Sequence, residues 1–126
     1  MRELTSHKVN YLNDVLKIEV VDQPGQGNAC HEYRVCIDET KYRPEAGWVA
    51  QNISFQNGPI QEAGVNGVSN EALLAIVEDR LLGFQSGQFA CRENAVALTK
   101  IQEAMMWLQK RTLDRVRRGV EGTNQK

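Results

Sequence analysis

The sequence predicts an α+β fold: a small antiparallel β-sheet followed by a long antiparallel two-helix hairpin, assembled into homo-oligomers. Three observations carry this expectation. Residues from Leu16 alternate apolar and charged with the period of a half-buried strand, and residues from Ser69 repeat apolar positions at helical spacing. The second helical stretch also holds more apolar surface than a small sheet can cover. The 126 residues are expected to form one domain, with the β part at about 15–56 and the hairpin at about 69–118.

The β part contains three expected strands. Leu16-Lys17-Ile18-Glu19-Val20 alternates with period two, and Gln23-Pro24-Gly25-Gln26-Gly27-Asn28 follows as a turn. Tyr33 to Ile37 is the second strand, with Tyr33, Val35 and Ile37 on one face. The polar stretch Asp38 to Gly47, which includes Pro44, is a loop. Trp48 to Phe55 offers the third strand, with Val49, Ile53 and Phe55 on one side. Three strands need a cover on their apolar face.

Ser69 stands before Glu71-Ala72-Leu73-Leu74-Ala75-Ile76-Val77, an N-cap with an acid in the first turn. Leu73, Val77, Leu81 and Phe84 keep one helical face, and Gly83 with Ser86-Gly87 ends the helix. The second helix runs from about Ala90 to Arg118, is free of proline and closes on Gly119. The few residues between the two helices fold them back as an antiparallel pair. Ile101, Met105, Leu108 and Thr112 form one stripe on the second helix; Leu98, Met106 and Leu113 lie off it, and Trp107 faces another side. Either this helix crosses the centre of the core or one of its sides meets another subunit, and its length favours self-association.

Composition excludes several classes. Fifteen Lys+Arg against sixteen Asp+Glu leave a net charge of -1, so no global field recruits nucleic acid or acidic membranes. No run of about 20 apolar residues could span a bilayer. The start MRELTSHKVNYLND lacks the apolar segment of a secretory signal. Cys30, Cys36 and Cys91 form no C-x-x-C pair, and His7 and His31 are the only histidines, so neither a zinc set nor a bound cofactor is expected. The three thiols read as small, semi-buried hydrophobes. Cys30 and His31 are adjacent, but on a strand they would point to opposite faces and could not act as nucleophile and base.

Charge is segregated locally. Lys110, Arg111, Arg115, Arg117 and Arg118 surround a single acid, Asp114. Arg111, Arg115 and Arg118 share a face at i, i+4 and i+7. Such a face is either a solvated basic end that complements the helix dipole or a phosphate clamp, because guanidinium forks match phosphate oxygens. Asn57 to Asn70 is rich in Gly and Asn and leads into a helix start, where backbone N–H groups can hold an anion. It has neither the G-K-[ST] of a Walker loop nor G-x-G-x-x-G, so it reads first as an ordinary connecting loop. Phe84 and Phe89 lie near the hairpin turn, with core packing as their default role.

The ordered series NEALLAIV, FQ, CREN, ALTK, MMWL, KRT, DR and RGVEGT, within Phe55 to Asn124, resembles the Thoeris anti-defence protein one family of phage proteins. HEYRV at His31 to Val35 is a further likeness. A related helical hairpin occurs in anti-CBASS sponges. The resemblance implies a sponge rather than an enzyme: a protein that binds cyclic ADP-ribose isomers made by bacterial TIR-domain defence enzymes and sequesters them undegraded. It implies a small sheet with two long helices, homodimers that build hexamers, and ligand sites between subunits. It extends the ligand range to cyclic dinucleotides and trinucleotides at separate sites, and implies action in the host bacterial cytoplasm.

Carried onto matching positions, the resemblance implies a ligand site of Phe84, Asn94, Arg111 and Arg115. Phe84 would stack on adenine, Asn94 would donate and accept at base or ribose, and the two arginines would neutralise a diphosphate. Arg92 and Arg118 are additions on proximity. Leu113 departs from the family pattern, which has a polar or charged residue between Thr112 and Asp114, and the region before Phe55 matches least. Arg111→Ala or Arg115→Ala is expected to leave folding intact and to weaken binding. An enzyme would need a nucleophile, a metal set or an acid dyad, none of which the sequence offers. The alternative is a small helical nucleic-acid- or protein-binding regulator that uses the Arg111–Arg118 face.

Overall fold

The computed structural model describes residues 1–9, 11–43, 45, 47 and 50–126. They form two compact units, Met1–Asn57 and Gly58–Lys126.

The first unit is a four-stranded antiparallel sheet. Strand β1 (Arg2–Leu4) precedes a short helix α1 (Tyr11–Val15), which runs directly into β2 (Leu16–Val20); β3 (Glu32–Ile37) and β4 (Ala50–Ser54) complete the order β1-β2-β3-β4. The period-two pattern sets the register. Leu16 pairs with Ile37, Ile18 with Val35 and Val20 with Tyr33, so one face collects the apolar side chains. Ile53 continues that face opposite Tyr33, whose ring meets Phe55 edge-on at 5.5 Å. Lys17, Glu19, Arg34 and Asn52 occupy the other face.

The sheet has one strand more than expected. Arg2–Leu4 has a single apolar residue, and only its pairing with Ile18–Val20 makes it a strand. The strand expected over 48–55 is present as Ala50–Ser54; Trp48 and Val49 lie outside the described residues, as does Pro44 of the expected loop.

The core of this unit is small. Val20 is fully buried, joined by Cys30, His31 and Cys36. Burial and the Glu19 carboxylate beside it push the Cys36 thiol up, so it stays protonated and donates to Glu19 Oε1 at 3.4 Å. Cys30 and His31 precede β3 rather than lie on it, and both turn toward Asp22. The Asp22 carboxylate accepts from the backbone N–H groups of His31 (2.9 Å) and Glu32 (3.1 Å), which closes the 22–32 loop. Over the apolar face, Tyr11, Leu12, Val15 and Tyr42 join Val35, Ile37 and Ile53 around a cleft of about 730 Å³.

The second unit holds a short helix α2 (Ile60–Ala63) and two long ones, α3 (Asn70–Gln85) and α4 (Arg92–Arg117). Ser69 caps α3 as expected, its Oγ accepting from the Ala72 N–H at 3.1 Å. Gly83, expected to help end that helix, lies inside it. The last turn closes through Ser86, which donates to the Gly83 carbonyl at 2.7 Å. Cys91 caps α4, its Sγ accepting from the Asn94 N–H at 3.4 Å. It is therefore exposed, and not the semi-buried thiol that its residue type suggested.

With 26 residues, α4 is about 39 Å long. It packs against α3 across the six-residue connection 86–91. Its half-buried stripe is Leu98, Ile101, Met105, Leu108 and Thr112, so Leu98 belongs to the stripe after all. Met106, Trp107 and Leu113 are exposed, as are Ile76, Val77 and Leu82 on α3. After Arg118 the chain turns through Gly119 and folds back over the end of α4. No described helix is long and apolar enough to cross a membrane.

Candidate functional site

The last three turns of α4 and the returning C-terminal segment border an open cleft of about 270 Å³. Trp107, Lys110, Arg111, Asp114, Arg115, Arg118 and Lys126 line it. The helical repeat produces this grouping: positions 107, 111, 114 and 118 fall on one side at about 100° per residue. Five cations and one acid line the cleft, inside a chain whose net charge is -1, and a second acid, Glu121, pairs with one of those cations.

The acid is committed to its neighbours. Lys110 Nζ donates to Asp114 Oδ2 at 2.8 Å, and Arg117 approaches Oδ1 at 3.6 Å. The Lys110 hydrogen bond, then the positive field of Lys110, Arg117 and Arg118, holds the Asp114 carboxyl below its ordinary range. Among the described residues neither Arg111 nor Arg118 makes an ion pair. Both are exposed, and their forks can receive an anion.

Arg115 differs from its neighbours. Its side chain is 8% exposed, and Nε donates to Glu121 Oε2 at 3.0 Å. Nη2 donates to the carbonyls of Val120 (2.9 Å) and Thr123 (3.0 Å), and Nη1 donates to that of Gln125. This arginine ties the C-terminal segment to α4 and forms the floor of the cleft. The expectation that Arg115→Ala leaves folding intact does not hold for a buried guanidinium with this many hydrogen-bond partners.

The other expected residues lie at the opposite end of α4. Phe84 is in the last turn of α3, and Arg92 and Asn94 are in the first turn of α4. Phe84 is exposed, meets Phe89 edge-on at 6.5 Å, and carries the Arg80 guanidinium 5.6 Å above its ring. Asn94 is half-buried beneath the Cys91 cap. Asn94 and Arg111 are seventeen helical positions apart, a rise of roughly 25 Å. The fold thus brings Arg111, Arg115 and Arg118 together, and leaves Phe84, Asn94 and Arg92 as a second group.

Sequence reasoning overlooked two walls of the cleft. Trp107 counts in the sequence only as surplus apolar surface, although its spacing of four from Arg111 puts both on one face. Lys126 comes to the cleft through the fold-back after Gly119, which no local pattern encodes.

The Acb2/Tad1 hairpin-domain family model matches residues 49–113, just over half of the chain. The chain belongs to the Acb2/Tad1 hairpin family. The matched span contains α3, Phe84, Asn94 and Arg111, and ends before Arg115 and Arg118. A relative, Thoeris anti-defense 1 of Bacillus phage SBSphiJ7, is 58% identical over 74 residues, which is 59% of this chain and 52% of that protein. The chain therefore matches about half the length of this curated relative.

Proposed function

We propose that this protein is a phage anti-defence sponge. It binds cyclic ADP-ribose isomers, glycocyclic ADP-ribose among them, made by bacterial TIR-domain Thoeris enzymes, and holds them undegraded in the host bacterial cytoplasm. The observation that carries the reading is the 58% identity to a Thoeris anti-defense protein. The cleft at the end of α4 supports it chemically, because Arg111 and Arg118 offer unpaired forks to a diphosphate.

The two groups of site residues lie too far apart for one small ligand to touch both in a single chain. A second copy running the other way along α4 would bring its Phe84 and Asn94 to the Arg111 end. The site then forms between subunits of an antiparallel hairpin dimer, with hexamers as the higher assembly. Exposed Met106 and Leu113 supply apolar surface for such contacts. In this site Phe84 stacks on the base, Asn94 reads base or ribose, and Arg111 neutralises the diphosphate. Arg115 supports it from the cleft floor, and Arg92 and Arg118 flank it. Enclosure between subunits also gives a non-catalytic protein its tightness, because dilution of a small anion must be offset by buried contacts. Cyclic dinucleotides and trinucleotides of CBASS systems would bind at separate sites of the assembly.

The test is to load the protein with cyclic ADP-ribose signal, heat-denature it and chromatograph the supernatant. Intact nucleotide released on heating is the expected result. Converted product would make the protein an enzyme. No uptake would leave the exposed Arg111–Arg118 face as a surface for nucleic acid or another protein.

A further inference from the structure

We propose that Trp107 is the base-binding wall of the basic cleft, so that this end of α4 selects a diphosphate carrying an aromatic ring over a diphosphate alone. The inference rests on the reading that the cleft holds the signal nucleotide, and adds to it a second wall for the base, on the ring face that the second copy's Phe84 leaves open.

Four observations lead there. Trp107 is 65% exposed, an uncommon state for the largest apolar side chain. It takes no part in the half-buried stripe through Leu98, Ile101, Met105, Leu108 and Thr112, by which α4 meets α3. Among the described residues it has neither a ring partner nor a cation over its face. Its neighbours in the cleft are Lys110, Arg111, Asp114 and Arg118, rather than other apolar groups.

The last point separates a ligand from a protein partner. Met106 and Leu113 lie about 100° or more around the helix from Trp107, so the apolar patch suited to protein contact is on another side. Trp107 instead shares its side with Arg111, one turn away, and Arg118, three turns away. An indole face next to unpaired guanidiniums matches a molecule with a flat ring and a negative group a few ångströms from it. Nucleotides have that form, and base stacking on an aromatic side chain tolerates any base. Asp114 does not spoil the field, because Lys110 and Arg117 already hold its charge.

The experiment titrates the 126-residue chain with two probes, cyclic ADP-ribose and inorganic pyrophosphate, by calorimetry. Trp107→Leu should weaken the nucleotide by about tenfold or more and change pyrophosphate by less than about twofold. Trp107→Phe should restore most of the nucleotide affinity. Arg111→Ala should weaken both probes. Quenching of tryptophan emission by the nucleotide should disappear in Trp107→Phe. Unchanged nucleotide affinity in Trp107→Leu, with Arg111→Ala still defective, would overturn the stacking role and leave the sponge reading intact. Equal loss of both probes in Trp107→Leu would make Trp107 a structural residue, and quenching that persists in Trp107→Phe would place the base elsewhere. A wild-type chain that binds neither probe would remove the underlying reading and this inference with it.

Discussion

Arg115 Nε donates to Glu121 Oε2 at 3.0 Å, closing a loop of chain across the end of α4. Three backbone carbonyls, those of Val120, Thr123 and Gln125, accept from the same guanidinium. Arg115→Ala removes the donor from Glu121 and all three carbonyls, and should cost about 2 kcal/mol of stability, because the lost hydrogen bonds involve a charged group but the acceptors are partly solvated. Glu121→Ala should cost about 1 kcal/mol, because the carbonyls keep their donor. Since the two residues share one network, the double variant should fall short of the sum. Urea unfolding of the four proteins measures all three quantities, and an Arg115→Ala midpoint equal to wild type would refute the anchoring role.

Arg111 lies one turn earlier and should behave oppositely. It is exposed and makes no ion pair among the described residues, so Arg111→Ala should keep stability within about 0.5 kcal/mol. If it holds the diphosphate in an enclosed site, its loss should weaken nucleotide binding by about 2–5 kcal/mol. Calorimetry and a thermal melt on the same preparation decide the matter. The opposite pattern, lower stability with unchanged affinity, would exchange the roles of the two arginines.

That contrast marks the limit of what sequence reveals here. Arg111 and Arg115 carry the same charge one turn apart on one helical face, yet one is exposed and the other buried. The difference comes from the return of the chain after Gly119, a tertiary event absent from any periodicity. Strand β2 was legible to the residue, because Leu16, Ile18 and Val20 alternate with charged residues on one half-covered sheet. The cap at Ser69 was equally legible, since capping is local. Strand β1 was not: three residues with one apolar side chain have no pattern, and pairing with β2 alone defines them. Gly83 misled for the reverse reason, because one glycine costs a helix only about 1 kcal/mol and α3 runs on past it to Gln85.

Acid should weaken the fold through its aspartates. The His31 backbone N–H, with that of Glu32, holds the Asp22 carboxyl below its ordinary value of 3.8, and the Thr40 hydroxyl does the same for Asp38. A carboxyl whose pKa is depressed on folding binds its proton more weakly when folded than when unfolded. Its stabilising contribution is therefore full above the unfolded value and is lost as pH falls through the folded one. Stability should decline below pH 3.8, and Asp22→Asn should flatten part of that decline while lowering stability at neutral pH. Chemical denaturation from pH 7 down to pH 2 tests the sign; an unaltered acid limb in Asp22→Asn would mean that the loop carboxylate contributes nothing.

Two glycines of the fold-back should respond unequally to a methyl group. Gly119 has φ +72° and follows the C-cap of α4, where the Val120 N–H reaches the Arg115 carbonyl and the Gly119 N–H that of Val116. A Cβ there meets nothing within 4 Å, so Gly119→Ala should cost only the left-handed backbone term of about 1–2 kcal/mol. Gly122 has φ +81° and is buried, and a Cβ would come within 3.1 Å of Ile60 Cγ1 and Gln61 Cγ. Its carbonyl also accepts from the Gln61 N–H at 3.2 Å, joining the fold-back to α2. Gly122→Ala should thus pay the same backbone term and add a clash that either displaces α2 or lifts the segment holding Arg115. Thermal melts should show the larger drop for Gly122→Ala, with faster exchange of the Gln61 amide. Equal drops for the two variants would mean that the fold-back is not packed against α2.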